Sequence, residues 1–476
     1  MLEINREKCT GCGACIVLCP AKCISLEEDQ EGFSFPNVDN AKCLNCNICN
    51  AKCPVLNDYS VNDKQQKLYA FVHKDKDVFI NSSSGGAYTA IVDCFFNLHP
   101  NGCAFGAYMD DDLELYHCIA YSPEETYKFR KSKYYQSDLR NTYCQCKKML
   151  VEGKYCMYTG TPCQIAGLKA YLGKDYPNLF LVDILCHGTP NKRLFQSYIK
   201  EIEKEHGKLL RYTFRFKAER KYGNRIILSS ENLLMTFNNK EITVNRHDDP
   251  YLIGFHNSLF NRMSCYNCKF ASLNRVSDIT LSDFWRYEEI NSEYDGRSGV
   301  SAVIINTLKG DALFSKVIEK NYAVLCKIEK INDLAIRNTP LIKGEPLNPL
   351  RNHFFEIWNE GFSKALYACY PKASIIGIVI SKFLIAIRLT SLKGYLKEIG
   401  EIMKKYKIGY TTGVFDLFHI GHLNILRRAK EQCDYLIVGV STDEVVQEYK
   451  HKTPIIPYSE RATIVEAIKY KEFYQI

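Results

Sequence analysis

Cys9-Thr10-Gly11-Cys12-Gly13-Ala14-Cys15-Ile16-Val17-Leu18-Cys19-Pro20 stands near the amino terminus, and Cys43-Leu44-Asn45-Cys46-Asn47-Ile48-Cys49-Asn50-Ala51-Lys52-Cys53-Pro54 repeats its spacing. Three thiolates at two-residue gaps on a curled loop can face one small polynuclear iron core, and a proline ends each segment. Soft thiolates favour iron-sulfur clusters over hard-metal sites. Structural zinc and disulfides are the alternatives, because Cys-x2-Cys pairs are also a zinc signature. Zinc takes four ligands and rarely meets three cysteines at consecutive two-residue gaps twice over. The reading is therefore two [4Fe-4S] clusters in a protein that moves electrons.

This is the spacing of bacterial ferredoxins, and the resemblance implies that the fourth cysteine of each run ligates the other cluster. One cluster then takes Cys9, Cys12, Cys15 and Cys53, and the second takes Cys43, Cys46, Cys49 and Cys19. Between the runs, Cys23 to Leu26 and Phe33 to Phe35 read as a hairpin around the Gly32 turn. Residues 1–60 form a ferredoxin-like head, and the polar stretch from Val55 to Lys67 reads as a linker.

The rest of the 476 residues suggests about two further domains, giving a multidomain protein of α+β and α/β type. A net charge of +8 over this length does not indicate nucleic-acid binding, though it suits an acidic redox partner or a phosphorylated substrate. Twenty-two cysteines in a long chain without a signal peptide point to a reducing cytoplasm. The apolar stretch from Ile375 to Ile387 contains Lys382 and falls short of the roughly 20 residues a membrane span needs.

The central region opens with the strand pattern Leu68 to Val72 and reaches Ser82-Ser83-Ser84-Gly85-Gly86-Ala87 before an apolar helix. Small residues before a helix let backbone amides approach an anion, although a tight turn with a helix cap has the same composition. Then follow Ser132-Lys133-Tyr134-Tyr135-Gln136-Ser137, Thr159-Gly160-Thr161-Pro162-Cys163-Gln164-Ile165-Ala166-Gly167-Leu168, Asp183-Ile184-Leu185-Cys186-His187-Gly188, Cys265-x2-Cys268 and Ser282-Asp283-Phe284-Trp285. With these motifs in this order, residues 68–345 resemble the beta subunit of coenzyme F-420 hydrogenase/dehydrogenase, a flavin and iron-sulfur family. The resemblance is spread over a first part, 68–150, and a second, 151–345, and implies a mixed α/β flavin/iron-sulfur domain. It implies a flavin, FAD or FMN, between the clusters and a hydride carrier of deazaflavin or nicotinamide type. Ser83, Ser84, Gly85 and Gly86 are the candidates for holding it, with Lys133 as counter-charge. His187 either shuttles a proton or satisfies a carbonyl. Cys163, Cys186, Cys265 and Cys268 are the four thiolates one further cubane needs, so a third cluster is expected there; burial as ordinary core cysteines is the alternative. The remaining ten cysteines read as core.

Residues 346–405, interrupted by Pro346, Pro349 and Pro371, read as a helical linker. Residues 406–476 open a different chemistry. A strand runs into Gly413-Val414-Phe415-Asp416, and His419-Ile420-Gly421-His422 stands at the start of a helix. This resembles the nucleotidyltransferases with an HxGH signature, most closely the glycerol-3-phosphate cytidylyltransferase type. The resemblance implies a Rossmann-like domain in which Gly413, Phe415 and Asp416 bind nucleotide. His419 and His422 would contact the triphosphate, Lys452 and Arg461 would add positive charge, and Mg²⁺ would accompany CTP. The half domain carrying an RTxGIST-like phosphate loop is not among these residues. The domain is thus expected to be partial, with a long sheet edge unpaired, and homodimerisation, a separate chain carrying the other half and truncation of the gene are the open explanations.

The leading expectation is a cytoplasmic iron-sulfur flavoprotein oxidoreductase fused to a cytidylyltransferase-like module. Two alternatives stand beside it: a nucleotidyltransferase for cell-surface polymer precursors with an ancillary redox part, and a non-enzymatic electron carrier.

Overall fold

Each cysteine run contributes only one helical turn, Ala14–Leu18 and Ile48–Ala51. Both turns begin at a left-handed residue, Gly13 (φ +70°) and Asn47 (φ +59°), which curls the loop before it can extend. Between them β1 (Ile24–Glu28) and β2 (Ser34–Val38) pair antiparallel, with Ile24 opposite Val38. The hairpin expected between the runs is therefore present, and Phe33 and Phe35 are buried beneath it.

The structure is a computed structural model and describes residues 5–61, 66–222, 225–292, 294, 296–370, 406–430 and 433–466. The chain divides into two compact units, Met1–Pro371 and Lys372–Ile476. The first unit continues with β3 (Lys67–His73), β4 (Cys103–Met109), β5 (Leu115–Ala120), β6 (Cys156–Gly160), β7 (Leu179–Ile184), β8 (Leu209–Tyr222), β9 (Arg225–Phe237), β10 (Glu241–Asn245), β11 (Ile279–Asp283), β12 (Ser301–Ile305) and β13 (Ala323–Glu329). Eight of these form one sheet in the order β13-β3-β12-β11-β7-β6-β4-β5. Its centre, β4, β6, β7 and β11, is parallel, and the flanking pairs are antiparallel.

A sheet covered on both faces needs strands that are apolar at nearly every position, and β3 and β12 are buried along almost their whole length. Along β6 successive side chains take opposite faces. Met157 packs with Ile91, Phe95 and Phe314 on one side, while Tyr158 packs with Phe105, Ile165 and Leu168 on the other. A separate meander, β8 to β10, packs against the helix Lys192–His206.

Two boundaries differ from expectation. The helices Arg351–Trp358 and Phe362–Cys369 bury Phe354, Phe362, Ala365 and Leu366 in the meander's core, so residues 351–369 belong to the first unit and not to a linker. The other linker, after the head, is pinned where it is described: Val61 N–H donates to Arg275 O, and Gln66 donates to Leu273 O and Asn306. The apolar stretch 375–387 lies outside the described residues, as does the charged helical stretch that follows it, apart from Tyr406 and Lys407, which begin a strand. Among the described residues no helix is long and apolar enough to cross a membrane.

The second unit shows β14 (Tyr406–Gly413) and β15 (Cys433–Val440) paired parallel, joined through the helix Ile420–Lys430.

Burial of His117 on β5 makes the first unit sensitive to acid. Its ring is 1% exposed, between Thr159 O and Ser137 Oγ, each at 3.0 Å. Burial pushes its pKa down to about 4. The unfolded chain binds this proton at about pH 6.5 and the folded chain does not, so stability is full above pH 6.5 and falls as pH drops towards 4. Between pH 6.5 and 5 the loss from this group is about 2 kcal/mol. Denaturant titrations at the two pH values should show a smaller difference in His117→Gln than in the wild type.

Candidate iron-sulfur and nucleotide sites

The head's cysteines gather in two groups that follow the crossed pairing. Burial, and then the neighbouring thiols, push Cys12 and Cys15 up to about 12; Cys9 and Cys53 are among the neighbours of both. Cys19, Cys43, Cys46 and Cys49 form the second group and line a cavity. Cys9 and Cys12 are buried, whereas Cys46 is exposed, so the second group is the one nearer solvent. Cys23, expected to be plain core, also lines that cavity, with its Sγ 3.3 Å from Cys19 Sγ. Two others of the expected core set, Cys144 and Cys326, are exposed.

A third group forms at the carboxyl ends of the parallel strands. Adjacent strands β6 and β7 end in register, Gly160 beside Asp183, and the chain then delivers Cys163 and Cys186. Ligand sites in parallel sheets lie outside such strand ends. Thr161 and Gln164 make a capping box and Pro162 starts the helix Pro162–Leu172, which places Cys163 in its first turn. The short helix Met263–Tyr266 and the residues after it supply Cys265 and Cys268. All four thiols line one cavity, with Thr10, His187, Gly344 and Glu345 among its other walls. Burial is the first cause of the upward shift in each, to about 12 for Cys163 and well above the ordinary thiol value for Cys186, with neighbouring thiols adding to it in Cys163, Cys186 and Cys268. Such thiols ionise only against a compensating cation. Among the described residues no group of three or more His, Cys, Asp or Glu is arranged to hold a single ion. Four cysteines are the usual ligand set of one four-iron cube.

His187 is engaged at both ring nitrogens, Nδ1 3.3 Å from Glu345 Oε1 and Nε2 3.4 Å from Ser258 Oγ. The loop that carries Cys268 is held from behind by Arg275, whose guanidinium donates to Phe270 O and Ser272 O and pairs with buried Asp183 on β7 at 2.9 Å.

The serine-glycine turn leads into the helix Ala87–Leu98 as expected, with Gly86 (φ +89°) as its cap. Its hydroxyls are taken up inside the protein: Ser83 Oγ accepts from Ser132 N–H at 2.8 Å, and Ser84 Oγ donates to Val300 O at 2.7 Å. Gly85 is required by close approach, since a Cβ there would lie 2.0 Å from Phe71 O. The Lys133 amine, the expected counter-charge, is held by the backbone. It donates to Phe129 O and Arg130 O, and burial lowers its pKa to about 7. Near the turn, however, Thr89 Oγ1, Asp93 Oδ1 and Arg130 Nη2 are buried without partners, and the buried hydroxyls of Tyr88 and Thr159 have only each other. Arg130 acts electrostatically on both Tyr88 and Asp93, whose carboxyl burial pushes up to about 6. Buried polar atoms of this kind call for a ligand or water. The sequence reading missed Arg130, although it stands two residues before the Ser132 motif, and it missed the Trp285 stack. There the guanidinium carbons of Arg215 and Arg246 lie 5.0 and 5.1 Å from the indole centre.

In the second unit His419 and His422 face each other with ring centroids 4.1 Å apart at the start of the helix Ile420–Lys430. His422 is lowered by burial and by His419. Lys452 is exposed. The other expected contacts turn inward. Arg461 is 0% exposed, bonded to Ile456 O, Val414 O and Ser441 O and paired with Asp443. Asp416 accepts from Ile455 and Ile456 N–H, and Phe415 is buried, its ring against the Gly413 backbone. Arg461 and Asp416 thus shape this loop from within.

Three segments of the chain match known families: residues 8–57 a 4Fe-4S dicluster domain, residues 153–331 the carboxyl terminus of the coenzyme F420 hydrogenase/dehydrogenase beta subunit, and residues 410–474 a cytidylyltransferase-like domain. Among curated proteins, the glycerol-3-phosphate cytidylyltransferase of Staphylococcus aureus is 50% identical over 60 residues, 13% of this chain and 45% of that one. An FAD synthase of Pyrococcus abyssi is 48% identical over 58 residues, 12% and 39% of the two chains. The chain spans less than half the length of these curated relatives. A chain of the F420-reducing [NiFe] hydrogenase complex from Methanosarcina barkeri aligns with 67% of this chain and 95% of its own length, at 15% identity and a TM-score of 0.37. An iron-sulfur segment, a hydrogenase/dehydrogenase-type redox segment and a cytidylyltransferase-like segment thus follow one another.

Proposed function

We propose that the chain is an iron-sulfur flavoprotein oxidoreductase that passes electrons between its [4Fe-4S] clusters and a hydride carrier of deazaflavin or nicotinamide type. The observation that carries this reading is the cavity of the third group, lined by Cys163, Cys186, Cys265 and Cys268 together with Thr10 of the head. It gives a cluster site in the redox segment a wall in common with the head. A flavin, when bound, supplies the conversion between electron pairs and single electrons. The unpartnered polar atoms around the helix Ala87–Leu98 fit such a group. Backbone amides after Gly86 would meet its phosphate, and Arg130 would supply charge. Single electrons would enter or leave from a redox partner protein at the more exposed head site. Iron, acid-labile sulfide and flavin measured on anaerobically purified protein should give about twelve irons and one flavin per chain, since each cubane holds four. About eight irons without flavin would reduce the chain to an electron carrier.

The facing histidines support a second activity, cytidylyl transfer with Mg²⁺ and CTP. Two imidazoles at a helix start suit charge developing on an α-phosphate. CTP-dependent pyrophosphate release should be present in the full chain and fall at least about 100-fold in His419→Ala, the loss typical of one charge-stabilising donor. No release with glycerol 3-phosphate or other phosphorylated alcohols would end this reading.

A further inference from the structure

The first head group and the cavity of the third group are joined by two residues with no part in ligation. Thr10 lies between Cys9 and Cys12, is 8% exposed and lines that cavity. Its Oγ1 is buried without a partner. Arg262 comes from the other side, three residues before Cys265, and is 1% exposed. Its guanidinium donates to Cys9 O at 3.1 Å, Ser34 O at 2.6 Å and Gln136 Oε1 at 3.3 Å, all neutral acceptors. Its charge also reaches Cys265, where it favours the thiolate. The approach is close enough to exclude side chains: a Cβ on Gly11 (φ +68°) would sit 2.7 Å from Arg262 Nη2, and one on Gly167 3.1 Å from Cys12 Cβ.

A neutral partner leaves a buried guanidinium uncompensated, and a buried hydroxyl without an acceptor is costly. Both demands are met by negative charge on either side of the junction. A four-thiolate cluster carries net negative charge, and its potential responds to charge and to hydrogen bonds on its sulfurs. We propose that Thr10 and Arg262 are positioning residues that set the reduction potentials of the first head cluster and the third cluster and hold the two in electronic contact. Thr10 donates its hydroxyl to the third cluster's sulfur, and Arg262 lies between the two as shared counter-charge. The step they serve moves one electron: one cluster is oxidised by one, the other reduced by one, and no bond or proton changes place. This inference rests on the reading of the third group's cavity as a cluster site.

The test is an anaerobic redox titration of the full holoprotein, followed by electron paramagnetic resonance, with iron counted in every sample. Thr10→Val should keep the wild-type iron and lower the third cluster's potential by the equivalent of about a tenfold change in its one-electron equilibrium, about 59 mV. The second head cluster should not move. Arg262→Gln should lower both the first and the third, and Arg262→Lys, which keeps the charge, should restore most of the shift. Wild-type potentials in Thr10→Val with about twelve irons present would overturn the inference while leaving the third cluster intact. About eight irons in the wild type would instead remove the cluster reading beneath it. Where Arg262→Gln loses iron, Thr10→Val decides the matter.

Discussion

Cys265→Ser is expected to lower the iron content from about twelve to about eight per chain, and Cys163→Ser to do the same. The two cysteines come from different elements, one from a helix's first turn and the other from a short helix about a hundred residues on, yet both line the same cavity. A serine oxygen is a poor substitute for a soft thiolate, and the three thiols left behind are buried groups that stay protonated without a metal. The loss should therefore be of a whole cluster and not of one iron. The head's spectroscopic signals should survive, because its ligands lie in separate groups. Exposed Cys144, replaced by serine, should leave the count unchanged. Equal iron in wild type and both variants would show that the cavity holds no cluster.

Arg275→Met is expected to destabilise the first unit by about 3–5 kcal/mol, the cost of breaking a buried pair by removing one partner. Asp183 is 0% exposed and its second oxygen has no partner, so the carboxylate left behind has nowhere to turn. The same guanidinium holds Phe270 O and Ser272 O, so the Cys265–Cys268 loop should loosen from β7 and the third site should lose iron in step with stability. A lower urea midpoint with reduced iron is the expected result. Asp183→Leu combined with Arg275→Met should recover part of the stability but not the iron, because the hydrophobic pair replaces the charge and not the loop's anchors. An unchanged midpoint in the single variant would show the pair to be dispensable.

The cysteine runs, the hairpin between them, the strand at Leu68 to Val72 and the strand-to-histidine turn were all legible because each is a local pattern. What the sequence hid was set by distant partners. The helices Arg351–Trp358 and Phe362–Cys369 are eight residues each and follow two prolines, which reads as a linker until Phe354 and Phe362 are seen in the meander's core. Lys133 and Arg461 carry positive charge in the right neighbourhoods, but backbone carbonyls within a few residues or across a loop take their nitrogens. No composition reveals that. Thr10 is a single residue inside a ligand run, and only the cavity on its far side distinguishes it.

The bonds from Arg262 to Cys9 O, and from Arg351 to Glu31, span 253 and 320 residues of chain. During synthesis at about 5–20 residues per second, the head emerges roughly 10–60 s before the residues that clamp it. Its eight cysteines can be filled in that interval by an assembly apparatus acting on a nascent polypeptide. The third set exists only once Cys268 has left the ribosome and β7 and β11 have paired. On the proposed cluster reading the head is therefore able to load before the central site exists, and protein made under iron limitation should carry iron in the head ahead of the centre.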